Sequence, residues 1–153
     1  MEALFKKLNF KEQRKVLFAA APDSMAEAIA WMRSRAEVLL DDAEAKDCDF
    51  AMGFATTQVG LDNLSQQLAA AVPGDGIIWI CYPKGSSKKY KCEFNRDTGW
   101  TVLGTLGFEP VRQVAVDDDW SALRFRRVNY IKTLTRSKDM SLTEEAKCRT
   151  TGK

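Results

Sequence analysis

The sequence predicts a single α/β domain. Its core is a mostly parallel sheet of about six strands between two helical layers, closed by a C-terminal antiparallel hairpin. Three observations carry that expectation. Apolar runs of strand length stand at residues 15–21, 36–40, 49–55 and 76–82. Stretches between them repeat apolar residues at helical spacing, so strand and helix alternate as in a parallel sheet. After residue 110 the pattern changes to two-residue alternation on either side of an acidic turn.

Taken in order, residues 1–14 place Leu4, Phe5 and Leu8 at helical spacing, which predicts a short helix or arm with Lys6, Lys7, Lys11 and Arg14 outward. Lys15 to Ala21 forms a first strand ended by Pro22. Ser24 and Glu27 match a capping box, and Met25, Ile29 and Met32 continue as one helical face. Ala36–Leu40 is a second strand, and Asp41–Asp49 is a polar connection.

Asp49–Ala55 is a third strand, after which Thr56 or Thr57 caps a helix with Leu61, Leu64, Leu68 and Val72 on one face. Pro73-Gly74-Asp75-Gly76 stops that helix. The most apolar run, residues 76–82, is a fourth strand leading into a loop over 83–94. Asn95 is a candidate cap for a helix over 96–106, with Trp100, Leu103 and Leu106 or Phe108 inward. Gly107 and Pro110 end it. Val111–Val116 is a fifth strand, Asp117–Trp120 a turn, and Leu123–Val128 a sixth strand. Domain boundaries follow at 1–132, with 133–153 a polar, basic tail.

Composition narrows the chemistry. The chain of 153 residues is 45% hydrophobic and 29% charged, which fits one globular core rather than disorder. It contains no histidine, which excludes a Ser-His-Asp triad, a Cys-His pair and histidine-ligated metal sites. Four cysteines form no Cys-x-x-Cys pair, so no metal site is expected. Residues 1–20 lack a charged head followed by a long apolar core, and no run approaches a membrane span. A cytoplasmic location with reduced thiols is the expectation. The net charge of +2 gives no whole-molecule field, so any electrostatic function must be local.

The local cluster is the loop after the fourth strand. Loops at the carboxyl ends of strands are where open α/β sheets bind ligands. Lys84, Gly85, Ser86, Ser87, Lys88, Lys89, Lys91 and Arg96 are the candidate anion-binding residues, because ammonium groups, hydroxyls and exposed amides all donate to oxygens. Tyr82 and Tyr90 are the candidates for base stacking. The partners these residues suit are a nucleic acid, a nucleotide or an acidic protein, and not a membrane. A solvated surface loop is the competing reading. Arg112, Arg124, Arg126 and Arg127 extend a basic face, with charge guarding an edge strand as the plain alternative.

The run from Asp49 to Val128 resembles the second half of a Rossmann-like, class I methyltransferase fold. The phrase Leu106-Gly107-Phe108-Glu109-Pro110-Val111, followed by Asp117–Asp119, Trp120–Leu123 and Arg124-Phe125-Arg126, carries the resemblance. Together with Tyr82-Pro83-Lys84-Gly85, residues 15–130 also resemble a family of small bacterial proteins of unknown function, which implies no catalytic residues. Methyltransferases follow their first strand with a glycine-rich loop. Here that place reads Ala19-Ala20-Ala21-Pro22-Asp23. The acidic residue expected after the second strand is Asp41 or Asp42.

The expectation is therefore a non-catalytic Rossmann-like protein, without a cofactor, that binds an anionic partner through residues 83–96. The alternatives are a small S-adenosylmethionine-dependent methyltransferase-like enzyme with an atypical cofactor loop at 19–23, and a self-assembling interaction protein.

Overall fold

The structure, a computed structural model, describes residues 2–41, 44–94 and 98–131. Asp42, the Asn95 cap, Arg96 and the 133–153 tail lie outside the described residues. Six strands form one sheet: β1 (Lys15–Ala19), β2 (Glu37–Leu40), β3 (Phe50–Phe54), β4 (Ile77–Pro83), β5 (Phe108–Ala115) and β6 (Trp120–Arg127). Their order is β2-β1-β3-β4-β6-β5. The first four are parallel, and β6 runs antiparallel to both β4 and β5. Among the described residues the α-helices are α1 (Glu2–Lys7), α2 (Ala26–Arg33), α3 (Gln58–Ala71) and α4 (Thr101–Thr105).

β3 and β4 are buried at every position, as parallel strands covered on both faces must be. One face packs on α3 and α4 through Leu61, Leu64, Leu68, Leu103 and Phe125. The other packs on α1 and α2 through Phe5, Leu8, Met25 and Met32. Trp79, fully buried, donates its indole N–H to the Leu8 carbonyl at 2.9 Å, which fixes the arm after α1 on the sheet.

Several boundaries differ from the sequence expectation. β1 stops at Ala19 because Ala20 takes φ 56°, outside any strand conformation. The Ser24–Glu27 capping box does not form: residues 23–25 make a 3-10 turn, and α2 starts at Ala26 without a side-chain cap. Of the two threonines before α3, Thr57 is the cap, accepting the Gly60 N–H at 3.0 Å. The helix expected over 96–106 is confined to Thr101–Thr105, because Gly99 sits at φ 97° and breaks any helix through it.

β5 starts at Phe108, immediately after Gly107 (φ 89°), and absorbs Pro110 next to a register shift. Proline is tolerated there because β5 is the edge of the sheet. Trp120 belongs to β6 and not to the turn. β6 itself is an interior strand, paired on both sides, so its arginines do not guard an edge.

Two of those arginines hold the fold together. Arg127 donates to the carbonyls of Ala69, Val72 and Gly74 at 3.1, 2.9 and 2.7 Å, satisfying the carboxyl end of α3. Arg126 forms a two-pronged ion pair with Asp75, both bonds at 2.7 Å.

Candidate functional site

Strand order reverses between β1 and β3, with β2 on one side of β1 and β3 on the other. In open α/β sheets the carboxyl ends of strands at such a reversal are the usual ligand position. Two features are built along this edge of the sheet.

The first joins the ends of β1 and β2. Ala20, in the left-handed region, donates its N–H to the Asp41 carboxylate at 2.5 Å, and Asp41 donates its own N–H to the Phe18 carbonyl at 2.9 Å. Asp41 is also left-handed, at φ 50°. Such a conformation costs an L-residue about 1–2 kcal/mol. The two bonds hold both residues there. Leu40, next to Asp41, is 44% exposed. Ala20 and Asp41 are exposed.

The second feature is a cleft of about 800 Å3 beyond β4, walled by Tyr82, Lys84, Lys91, Glu93, Phe94 and Gln113. Tyr82 is buried, its ring against Phe94 and Trp100. Its hydroxyl accepts from the Gln113 side chain at 2.9 Å. Glu93 ties the far end of the 84–94 loop to α3. Its carboxylate accepts the Gln58 N–H at 2.8 Å, and its own N–H donates to the Thr56 carbonyl at 2.9 Å. The positive end of α3 is thus already met by Glu93 and the Thr57 hydroxyl.

The near end of the loop is fixed by Asp119. Its carbonyl accepts the Lys84 N–H at 2.8 Å, and its carboxylate accepts the Ser87 hydroxyl at 2.8 Å. Ser87 also receives the N–H groups of Lys89 and Tyr90, at 3.3 and 3.2 Å. Tyr90 lies on Trp120, with ring centres 4.9 Å apart.

The structure therefore divides the anion candidates. Lys84 and Lys91 face the cleft, as do Gly85 and Ser87, although the Ser87 hydroxyl is engaged within the loop. Ser86, Lys88 and Lys89 are exposed, the Lys89 ammonium lying 5.6 Å from the Tyr90 ring centre. A Cβ on Gly85 would meet nothing, so no close approach explains that glycine. Glu93 and Gln113 carry no local signal in the sequence, because their partners are distant in the chain.

Among the described residues, Cys81 and Cys92 are poor nucleophiles. Burial, with a smaller push from Asp117, drives the Cys81 pKa far up, and burial also raises that of the half-buried Cys92. Among the described residues, no group of acidic and cysteine side chains could hold a metal ion. Among the same residues, no helix is long and apolar enough to cross a membrane.

No family model matches the chain, and no curated protein matches it in sequence. Solved structures do match in fold. A SAM-dependent methyltransferase from Aquifex aeolicus is 14% identical, with a TM-score of 0.57 over 83% of this chain and 89% of that one. The N-methyltransferase NodS from Bradyrhizobium japonicum, in complex with S-adenosyl-L-homocysteine, is 12% identical, with a TM-score of 0.53 over 83% and 85%. The [4+2]-cyclase SpnF is 11% identical, with a TM-score of 0.51 over 82% and 78%.

These likenesses correct the expectation of a chain without a cofactor, because structures sharing the architecture are described as S-adenosylmethionine-dependent or hold the demethylated cofactor. That expectation rested on the missing glycine loop. Ala20 makes the left-handed turn without glycine. The chain has the Rossmann-like fold of the class I methyltransferases.

Proposed function

We propose that the chain binds an S-adenosylmethionine-type cofactor across the ends of β1 and β2 and takes an acceptor in the cleft beyond β4, as a small methyltransferase-like enzyme. The observation that carries this reading is the Ala20–Asp41 closure across the ends of β1 and β2, beside the strand-order reversal. A carboxylate about 20 residues beyond the first turn is the group that meets ribose hydroxyls in nucleoside-binding sheets of this kind. Only one Asp41 oxygen is given to Ala20. The exposed Leu40 side chain offers apolar surface for a purine. Pro22 contributes no N–H, so recognition there falls more on Asp41 and less on backbone amides.

When bound, S-adenosylmethionine supplies an electrophilic methyl group on a sulfonium. The chain's residues position the acceptor. Lys84 and Lys91 favour one carrying negative charge, and Glu93, held by the Gln58 N–H, presents a carboxylate on the cleft wall that can take up a proton. The cyclase among the similar structures is a reason to test cofactor binding before transfer.

Thermal denaturation with S-adenosyl-L-homocysteine tests the reading. At 100-fold excess over its dissociation constant the ligand adds about 2.7 kcal/mol of stability. Asp41→Ala is expected to abolish that gain, whereas Lys84→Ala with Lys91→Ala is expected to keep it and weaken the acceptor alone. No response to either cofactor form at millimolar concentration would overturn the proposal.

A further inference from the structure

The arginines of β6 divide by partner. Arg127 is spent on the end of α3, and Arg126 on Asp75. Arg124 is different. It is half-buried, its Nε is inaccessible to water, and among the described residues nothing bonds to that atom. It stands directly opposite Arg112 in the β5–β6 register. Like charges across an antiparallel pair repel. Arg112 reaches no carboxylate in the described residues, only the Asn9 side-chain oxygen at 3.5 Å. β6 is interior, so edge protection does not explain Arg124, whereas Arg112 lies on the edge strand β5.

We propose that Arg112 and Arg124 form a binding site for a phosphate group, on the sheet face that carries the arm after α1. That face is opposite the one lined by Tyr82, Phe94 and Phe125, so the site is separate from the cleft beyond β4. Two guanidinium groups on neighbouring strands suit a tetrahedral dianion, because the paired Nη groups at the end of each can donate two parallel N–H bonds. A dianion also relieves the cross-strand repulsion. Burial and the neighbouring Arg126 and Arg112 push the Arg124 pKa down, while Asp75 opposes them. Asp75 is held by its two-pronged bond to Arg126, and the buried Glu109 stands opposite Arg126 in the same strand pair.

The test is thermal denaturation in inorganic phosphate against chloride at matched ionic strength, with a 5′-mononucleotide as a second arm. A saturable rise of about 4 °C at tenfold excess over the dissociation constant is expected in phosphate or in the mononucleotide. Response to phosphate identifies a free-ion site, and response to the mononucleotide alone identifies a phosphate-ester site. Arg124→Gln and Arg112→Gln should each remove the rise. Arg112 is exposed, so its variant is informative even where Arg124→Gln folds poorly. A variant with Lys84, Lys88 and Lys89 all changed to Ala should retain the rise. Equal stabilisation by chloride, or a rise that survives both arginine variants, would overturn the site.

Discussion

The main-chain N–H of Ala20 ends on the carboxylate of Asp41, so the turn that leaves β1 is closed by the residue that leaves β2. The contact closes a left-handed turn that contains no glycine. Ala20 pays a conformational cost that glycine would not. Ala20→Gly is therefore expected to leave stability unchanged or raise it by up to about 1 kcal/mol, and Ala20→Val to lower it by more than 1 kcal/mol. Urea unfolding midpoints at constant m-value check both. A loss on glycine substitution would show that the left-handed turn carries no strain.

Arg127 and Arg126 are neighbours with unequal consequences. Arg127→Ala strips donors from three carbonyls at the end of α3 and should cost about 1–3 kcal/mol. Arg126→Ala removes a partly exposed ion pair and should cost less than about 1 kcal/mol. Chemical denaturation of the two variants side by side measures the difference. Equal losses would contradict the capping role.

Gly53 sits on β3 where α3 crosses closely. A Cβ there would stand 2.5 Å from Leu64 Cδ1 and 2.8 Å from its Cγ. Gly53→Ala is expected to destabilise by about 1–3 kcal/mol through overpacking. Pairing it with Leu64→Ala should recover part of that loss, and a double-mutant cycle would reveal the coupling.

Alkaline pH should expose Cys81. Its thiol stays protonated in the fold because burial raises its pKa, while in the unfolded chain it ionises at an ordinary value of about 8.5. Above that pH the unfolded state loses the proton first. Stability then falls with rising pH, by up to about 1.4 kcal/mol per unit from this group. Cys81→Ala should flatten that part of the pH profile, whatever its cost at neutral pH. Native Cys81 should also resist maleimide at pH 8 until the protein unfolds.

Local signals in the sequence carried the scaffold. The apolar runs at 15–21, 49–55 and 76–82 each hold a strand, β1 ending at Ala19, because only buried sheet positions suit such residues without alternation. Leu61, Leu64 and Leu68 recur at helical spacing and line the buried face of α3. The acidic turn and the alternation after it marked the β5–β6 hairpin. Gly99 concealed the start of α4, because one left-handed residue outweighs a favourable helical face.

What the sequence determined by itself was the order of elements and which faces are apolar, since both follow from periodicity over a few residues. The tertiary structure alone decided which polar groups meet. Ala20 finds Asp41 across 21 residues, Gln58 finds Glu93 across 35, and Arg127 reaches Val72 across 55. No local pattern encodes such pairings. They arise because buried or turn-bound amides and carbonyls must be satisfied, and the packed sheet brings the available side chains to them. The same packing leaves Arg112 and Arg124 facing each other across two strands, a juxtaposition that the register alone creates.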